Sequence, residues 1–157
     1  MATKFFPEKL IFVPASGGHP KDAEYRIGIG PEQWDKPVRI KKVQMVYGNK
    51  IAGRVSPSFP VDSHDEDAVR LAMELINSGY GVNDPYKKTI VQVAPLENNQ
   101  SISDLLEAQL DYIQDFYLEL MPHLTVVDSE PKEPVHLRDN LYGFIFDISF
   151  SMKYEKN

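Results

Sequence analysis

Several stretches of the sequence group side chains whose chemistry could do work. Asp62-Ser63-His64-Asp65-Glu66-Asp67 sets a histidine among carboxylates, the combination that metal binding or general acid–base catalysis requires. Ser16-Gly17-Gly18-His19 follows an apolar run, where phosphate-cradling loops sit, and places a serine close to a histidine. Glu107, Asp111, Asp115 and Glu119 recur at every fourth position. Arg39, Lys41, Lys42, Lys50 and Arg54 surround Gly48-Asn49, with Trp34 and Tyr47 nearby. His123 and His136 flank a loop carrying Asp128, Glu130 and Glu133.

Each stretch also has a plain structural explanation. Carboxylates in the first turn of a helix are stabilised by its dipole, and neighbours on one turn point in different directions, so they do not converge on one ion. The Ser16–His19 loop leads through Pro20, Lys21 and Asp22 into another strand, whereas a phosphate loop needs a helix N-terminus just beyond it. Gly28-Ile29-Gly30 is followed by Pro31 and not by a helical pattern, so it and the Ser16–His19 loop both read as turns. The strand–serine–helix elbow of hydrolases is absent, and a serine beside a histidine in sequence is not how such catalysts are built. The hairpin cations with their aromatics suit phosphate contact and base stacking, but a solvated strand face uses the same lysines. The histidines at 123 and 136 fit a solvated acidic loop.

The row at spacing four is different. Residues four apart share one helical face, and like charges there cost a few tenths of a kcal/mol per pair. Ser103–Met121 contains no lysine or arginine, and only Asp104 and Glu107 lie near enough to the start of the helix to gain from its dipole. The row therefore calls for a cation from outside the helix: a basic partner protein, or the basic hairpin of a second copy.

The elements that position these groups follow from periodicity. Lys9–Val13, Glu24–Ile29, Val38–Tyr47, Lys50–Val55, Lys88–Ala94 and Gly143–Tyr154 read as strands. Gly48-Asn49 is a two-residue hairpin turn. A change of phase at Lys41-Lys42 predicts a β-bulge. The first helix is capped by Asp62 or Ser63, buries Val69, Ala72, Met73, Ile76, Leu71 and Leu75, and stops at Gly79. The second starts at Ser101 or Ser103, ends before Pro122, and buries Leu106, Leu110, Ile113, Tyr117 and Leu120. A polar, proline-containing loop precedes the last strand, and Asp128–Pro134 is the one stretch poor enough in hydrophobes to allow disorder. The expected fold is one α+β domain over residues 1–157: a largely antiparallel sheet of about five to six strands, with both helices packed on one face.

Composition bounds the function. The 157 residues suit one domain, 42% of them are apolar, and there is no cysteine, which removes disulfides, thiol nucleophiles and zinc–thiolate sites. No apolar run approaches the roughly 20 residues that span a bilayer, and Pro14 ends the single early apolar run, so a cytoplasmic protein with no membrane contact is expected. The net charge of −6 is uneven: residues 1–60 carry ten Lys/Arg against five Asp/Glu, and residues 61–157 carry seven against eighteen. An acidic chain argues against nucleic acid as a partner. The reading that follows is a non-catalytic interaction or assembly protein, using the acidic row and the basic hairpin, with no cofactor and no metal. Its alternatives are a small enzyme or ligand-binding domain using His64 or His19 with nearby carboxylates, and nucleic-acid binding through the hairpin.

Overall fold

The computed structural model describes residues 4–153. Its elements in chain order are β1 (Lys9–Pro14), β2 (Ala23–Gln33), β3 (Pro37–Tyr47), β4 (Lys50–Ala52), α1 (Asp65–Asn77), β5 (Lys87–Pro95), α2 (Ile102–Leu120), β6 (Leu124–Pro131), β7 (Val135–Arg138) and β8 (Leu141–Met152). The strands form one mixed sheet in the order β4-β3-β2-β1-β5-β8-β6, and β7 joins the edge of β8 beyond the end of β6. All neighbours are antiparallel except β1 and β5, which run parallel through Phe12 opposite Ile90. The last residue of the expected final strand, Tyr154, lies outside the described residues.

The class is α+β as expected, but the helices lie on opposite faces of the sheet, not together on one. Side chains alternate across a strand, so consecutive residues of β1 report on both faces. Ile11 and Val13 pack with Val69, Leu71, Ala72 and Ile76 of α1, whereas Leu10 and Phe12 pack with Leu105, Ile113 and Tyr117 of α2. The two cores meet only through the sheet. The unbroken apolar run Leu10-Ile11-Phe12-Val13 follows from this, because a strand covered on both faces has no polar side to show.

Among the described residues there are eight strands, not five to six, and Gly28-Ile29-Gly30, expected as a turn, lies within β2, paired with Lys42 to Ile40 of β3. The two extra ones come from Leu124–Arg138, part of which reads in sequence as a polar loop; paired with β8, its backbone satisfies the outer edge of that strand. The bulge expected at Lys41-Lys42 is absent: β2 and β3 stay in register from Ala23 opposite Tyr47 to Gln33 opposite Pro37. The apolar phase changes there because different stretches of β3 cover different faces. Val43 and Tyr47 pack toward α1, while Val38 lies largely exposed near the end of the strand. Irregular register occurs instead in β6 and β7.

The helix ends follow local chemistry. The Ser101 side chain of α2 accepts from Asp104 N, and the Asp104 side chain accepts from Ser101 N, closing a capping box. The N-cap position of α1 is His64, without a side-chain cap, and Ser63 Oγ accepts from Asp65 N at 3.3 Å. At its other end Gly79 N and Tyr80 N bond back to Ile76 O and Leu75 O, with Gly79 at φ +97°, a Schellman stop. The Gly48-Asn49 turn forms as expected, both residues at positive φ. Gly143 of β8 has a packing role: a Cβ there would meet Leu71 Cδ2 at 2.3 Å, so its absence lets α1 lie close on the sheet.

Candidate functional site

The first residue of α1 organises one end of the molecule. Asp65 is only 5% exposed, and among the described residues it forms no ion pair. Its carboxylate accepts three hydrogen bonds, from Ser16 N at 2.9 Å, Ser16 Oγ at 2.5 Å and the Tyr25 hydroxyl at 2.9 Å. Donors to the charged form, together with the positive end of the helix dipole, are what an unpaired buried carboxylate needs. Tyr25 is fully buried; its hydroxyl also lies 2.6 Å from Ser58 O, and His19 Nε2 lies 3.1 Å from that hydroxyl and 2.8 Å from Ser58 O. Burial first, and then the Asp65 carboxylate, hold the Tyr25 phenol well above its ordinary value, so it stays a donor. This network pins the loop after β1 to the start of α1.

Beside it a cleft of about 640 Å³ opens where β1 and β5 part. β1 stops at Pro14 while its parallel neighbour runs on to Pro95, and the two chains then leave in different directions, β1 toward β2 and β5 toward α2. A crevice at the carboxyl ends of parallel strands is the geometric result. Ser16, His64 and Asp65 line one side; Gln92, Gln109 and Tyr112 line the other. A second hollow of about 350 Å³ shares Ser16, Gly17 and Tyr112 with the first, and continues along α2 past Asp115 to Glu119. Together they make a groove between α2 and the loop Ala15–Lys21. Its side chains include Asp62, Asp65, Asp115 and Glu119, against a single cation, Lys21. Lys21 pairs with Glu119 at 3.3 Å, both largely exposed. Burial first, and then Asp65, raise the Tyr112 phenol, so the groove wall presents a neutral hydroxyl.

The acidic row lies opposite the buried side of α2. Glu107, Asp111, Asp115 and Glu119 are all exposed, and only Glu119 meets a cation among the described residues. The basic hairpin is less unified than its sequence suggests. Arg39 and Lys41 point to the α1 side of the sheet and Lys42 to the other, as strand alternation requires. Arg39 pairs with Glu8 at 2.9 Å, Lys42 pairs with Glu32, and Lys41 donates to Met73 O at 3.4 Å. Lys50 and Arg54 are exposed. The hairpin tip does reach α2, where Asn49 Nδ2 donates to Leu120 O at 3.1 Å.

His64 lies 3.7 Å from Asp67, whose carboxylate is clasped by both terminal nitrogens of Arg138; that guanidinium holds the Asp67 carboxyl below its usual range. His136 Nε2 bonds to Asp139 O at 2.7 Å, and His123 is exposed. Among the described residues, no group of three or more histidines and carboxylates is placed to share a metal ion. No helix there is long and apolar enough to cross a membrane.

Sequence reasoning missed the partners of Asp65. Ser16 and Tyr25 stand 49 and 40 residues away from it, with no spacing to link them. Gln92, Gln109 and Tyr112 carried no signal either, since a crevice at parallel strand ends is not expected of an antiparallel sheet. Compared with known protein families, curated proteins and solved structures, the chain matches none.

Proposed function

We propose that this chain is a non-catalytic binding domain that seats a basic, extended segment of a partner protein in the groove between α2 and the loop Ala15–Lys21. The observation that carries the reading is the charge of that groove: four carboxylates against one lysine, over two adjoining hollows of about 640 and 350 Å³. Exposed carboxylates at spacing four repel one another, and cations arriving from outside relieve that cost. The Asp65 network fixes one wall by tying loop to helix, so the groove is shaped before its occupant arrives. The pairing of Arg39 and Lys42 within the chain weakens the version in which the basic hairpin of a second copy fills the groove. The hairpin cations also face both sides of the sheet, which disfavours a continuous nucleic-acid track. A second reading, a site for a small cationic or neutral ligand, draws on His64 and Asp65 lining the deeper hollow.

Fluorescence anisotropy with labelled lysine- and arginine-rich peptides tests the proposal. Saturable binding is expected, weakened as salt rises from roughly 0.05 M to roughly 0.3 M, where the Debye length falls below about 10 Å. The double change Asp115→Lys/Glu119→Lys should weaken it about tenfold or more. The same charge change at Glu107→Lys/Asp111→Lys, off the groove, should weaken it less. Equal losses from both pairs, or no binding at low salt, would reject the groove as a seat for basic peptide.

A further inference from the structure

A different group, on the opposite side of β2 from Tyr25, stands without the partner its chemistry calls for. Arg26 faces the α2 side of the sheet, flanked by Phe12 on β1 and directly opposite Gln44 on β3. Among the described residues its guanidinium makes no hydrogen bond and no ion pair, and its Nε is shut off from water without any acceptor. Gln44, its cross-strand partner, holds Oε1 in the same condition. The charges on this face otherwise cancel: Glu24 pairs with Lys88 at 3.0 Å and Glu32 pairs with Lys42. Arg26 is left as one uncompensated positive charge. Burial alone lowers its affinity for a proton, with no anion to oppose the effect. Helix α2 meets this face one row along the sheet, where the Tyr117 hydroxyl donates to Glu24 at 2.6 Å.

We propose that Arg26, half-buried beside Gln44 on the α2 side of β2 and β3, binds an oxyanion, taking a carboxylate or phosphate oxygen on its terminal nitrogens. A planar guanidinium with several donors and, among the described residues, no anion suits this chemistry. The site is separate from the acidic groove, whose charge excludes anions, so the two proposals stand or fall independently.

The test follows the Arg26 Nε–H signal by nitrogen-15 NMR while inorganic phosphate or acetate is added to the full chain, against sodium chloride at matched ionic strength. A saturable shift with phosphate, acetate or both, absent in chloride, is expected; which anion saturates at the lower concentration identifies the source. No saturable shift with either anion, or the same shift in chloride, overturns the proposal. The substitution Arg26→Met keeps the apolar stem and removes the charge. It should leave Tm unchanged or raise it by about 2 °C or more. A fall of that size would mean that Arg26 holds the fold together and is not waiting for a ligand, which also overturns it.

Discussion

Two buried carboxylates, one on each side of the sheet, solve the same problem in different ways. Glu24 and Asp65 are 0% and 5% exposed, and each accepts a hydrogen bond from a buried tyrosine: Tyr117 at 2.6 Å and Tyr25 at 2.9 Å. Glu24 adds a cation, Lys88, at 3.0 Å, whose ammonium also lies 4.1 Å from the Phe12 ring centroid and 4.6 Å from that of Tyr117. Asp65 meets no cation among the described residues and relies on Ser16 donors and the end of a helix. The difference lies in what each joins. Glu24 locks β2, β5 and α2 inside the core, where a desolvated charge needs an opposite one. Asp65 ties a loop to a helix start at the rim of a groove, where fixed dipoles suffice and the local field stays negative. One carboxylate specifies packing; the other shapes a surface.

Substitutions can break that contrast. The largest effect is expected from Lys88→Met, which strands a buried carboxylate and should cost about 3–5 kcal/mol in urea unfolding. Adding Glu24→Gln should recover a large part of it. If Lys88→Met alone costs under about 1 kcal/mol, the Glu24 side is no more charge-dependent than the Asp65 side. Next is Asp65→Asn, which replaces one of the two acceptor oxygens by an NH2 donor, so that at least one of the three donating groups loses its partner, and should cost about 2 kcal/mol; a cost near zero would show that the loop is held by other means. The smallest effect is in alkali. Both tyrosines have folded-state affinities for a proton raised above the ordinary phenol value of 10.0. A raised value contributes stability that is complete below about pH 10 and is lost as pH rises further, at about 1.4 kcal/mol per pH unit for each phenol. Unfolding free energies of Tyr25→Phe and Tyr117→Phe should each fall less steeply above pH 10 than that of the wild-type chain. A single variant that abolishes the whole slope would mean that only one face carries it.

Much of this frame was legible in residues. The alternation Phe144, Phe146, Ile148, Phe150 marked β8, the spacing of Val69, Ala72 and Ile76 marked the core side of α1, and Gly48-Asn49 and Gly79 marked a turn and a stop. Each rests on neighbours within a few positions, where periodicity and local sterics decide. The four-residue apolar run of β1 also held the clue that both faces are covered, although short apolar runs do not say what covers them. The run of acids at Asp62–Asp67 read as helix-start chemistry, which accounts for the charge of Asp65 but not for its burial against Ser16 and Tyr25.

What the sequence determined by itself, then, was the element types, the exposed acidic row on α2 and the uneven charge of the two halves, because each depends on local spacing or simple composition. Tertiary structure alone decided that the helices take opposite faces, that β1 and β5 run parallel and part into a crevice, that Glu24 meets Lys88 while Arg26 meets no anion among the described residues, and that the hairpin cations divide between two sides. Those outcomes depend on which distant strands pair and in which direction. No side chain encodes that choice alone; it emerges when the whole apolar surface is buried at once.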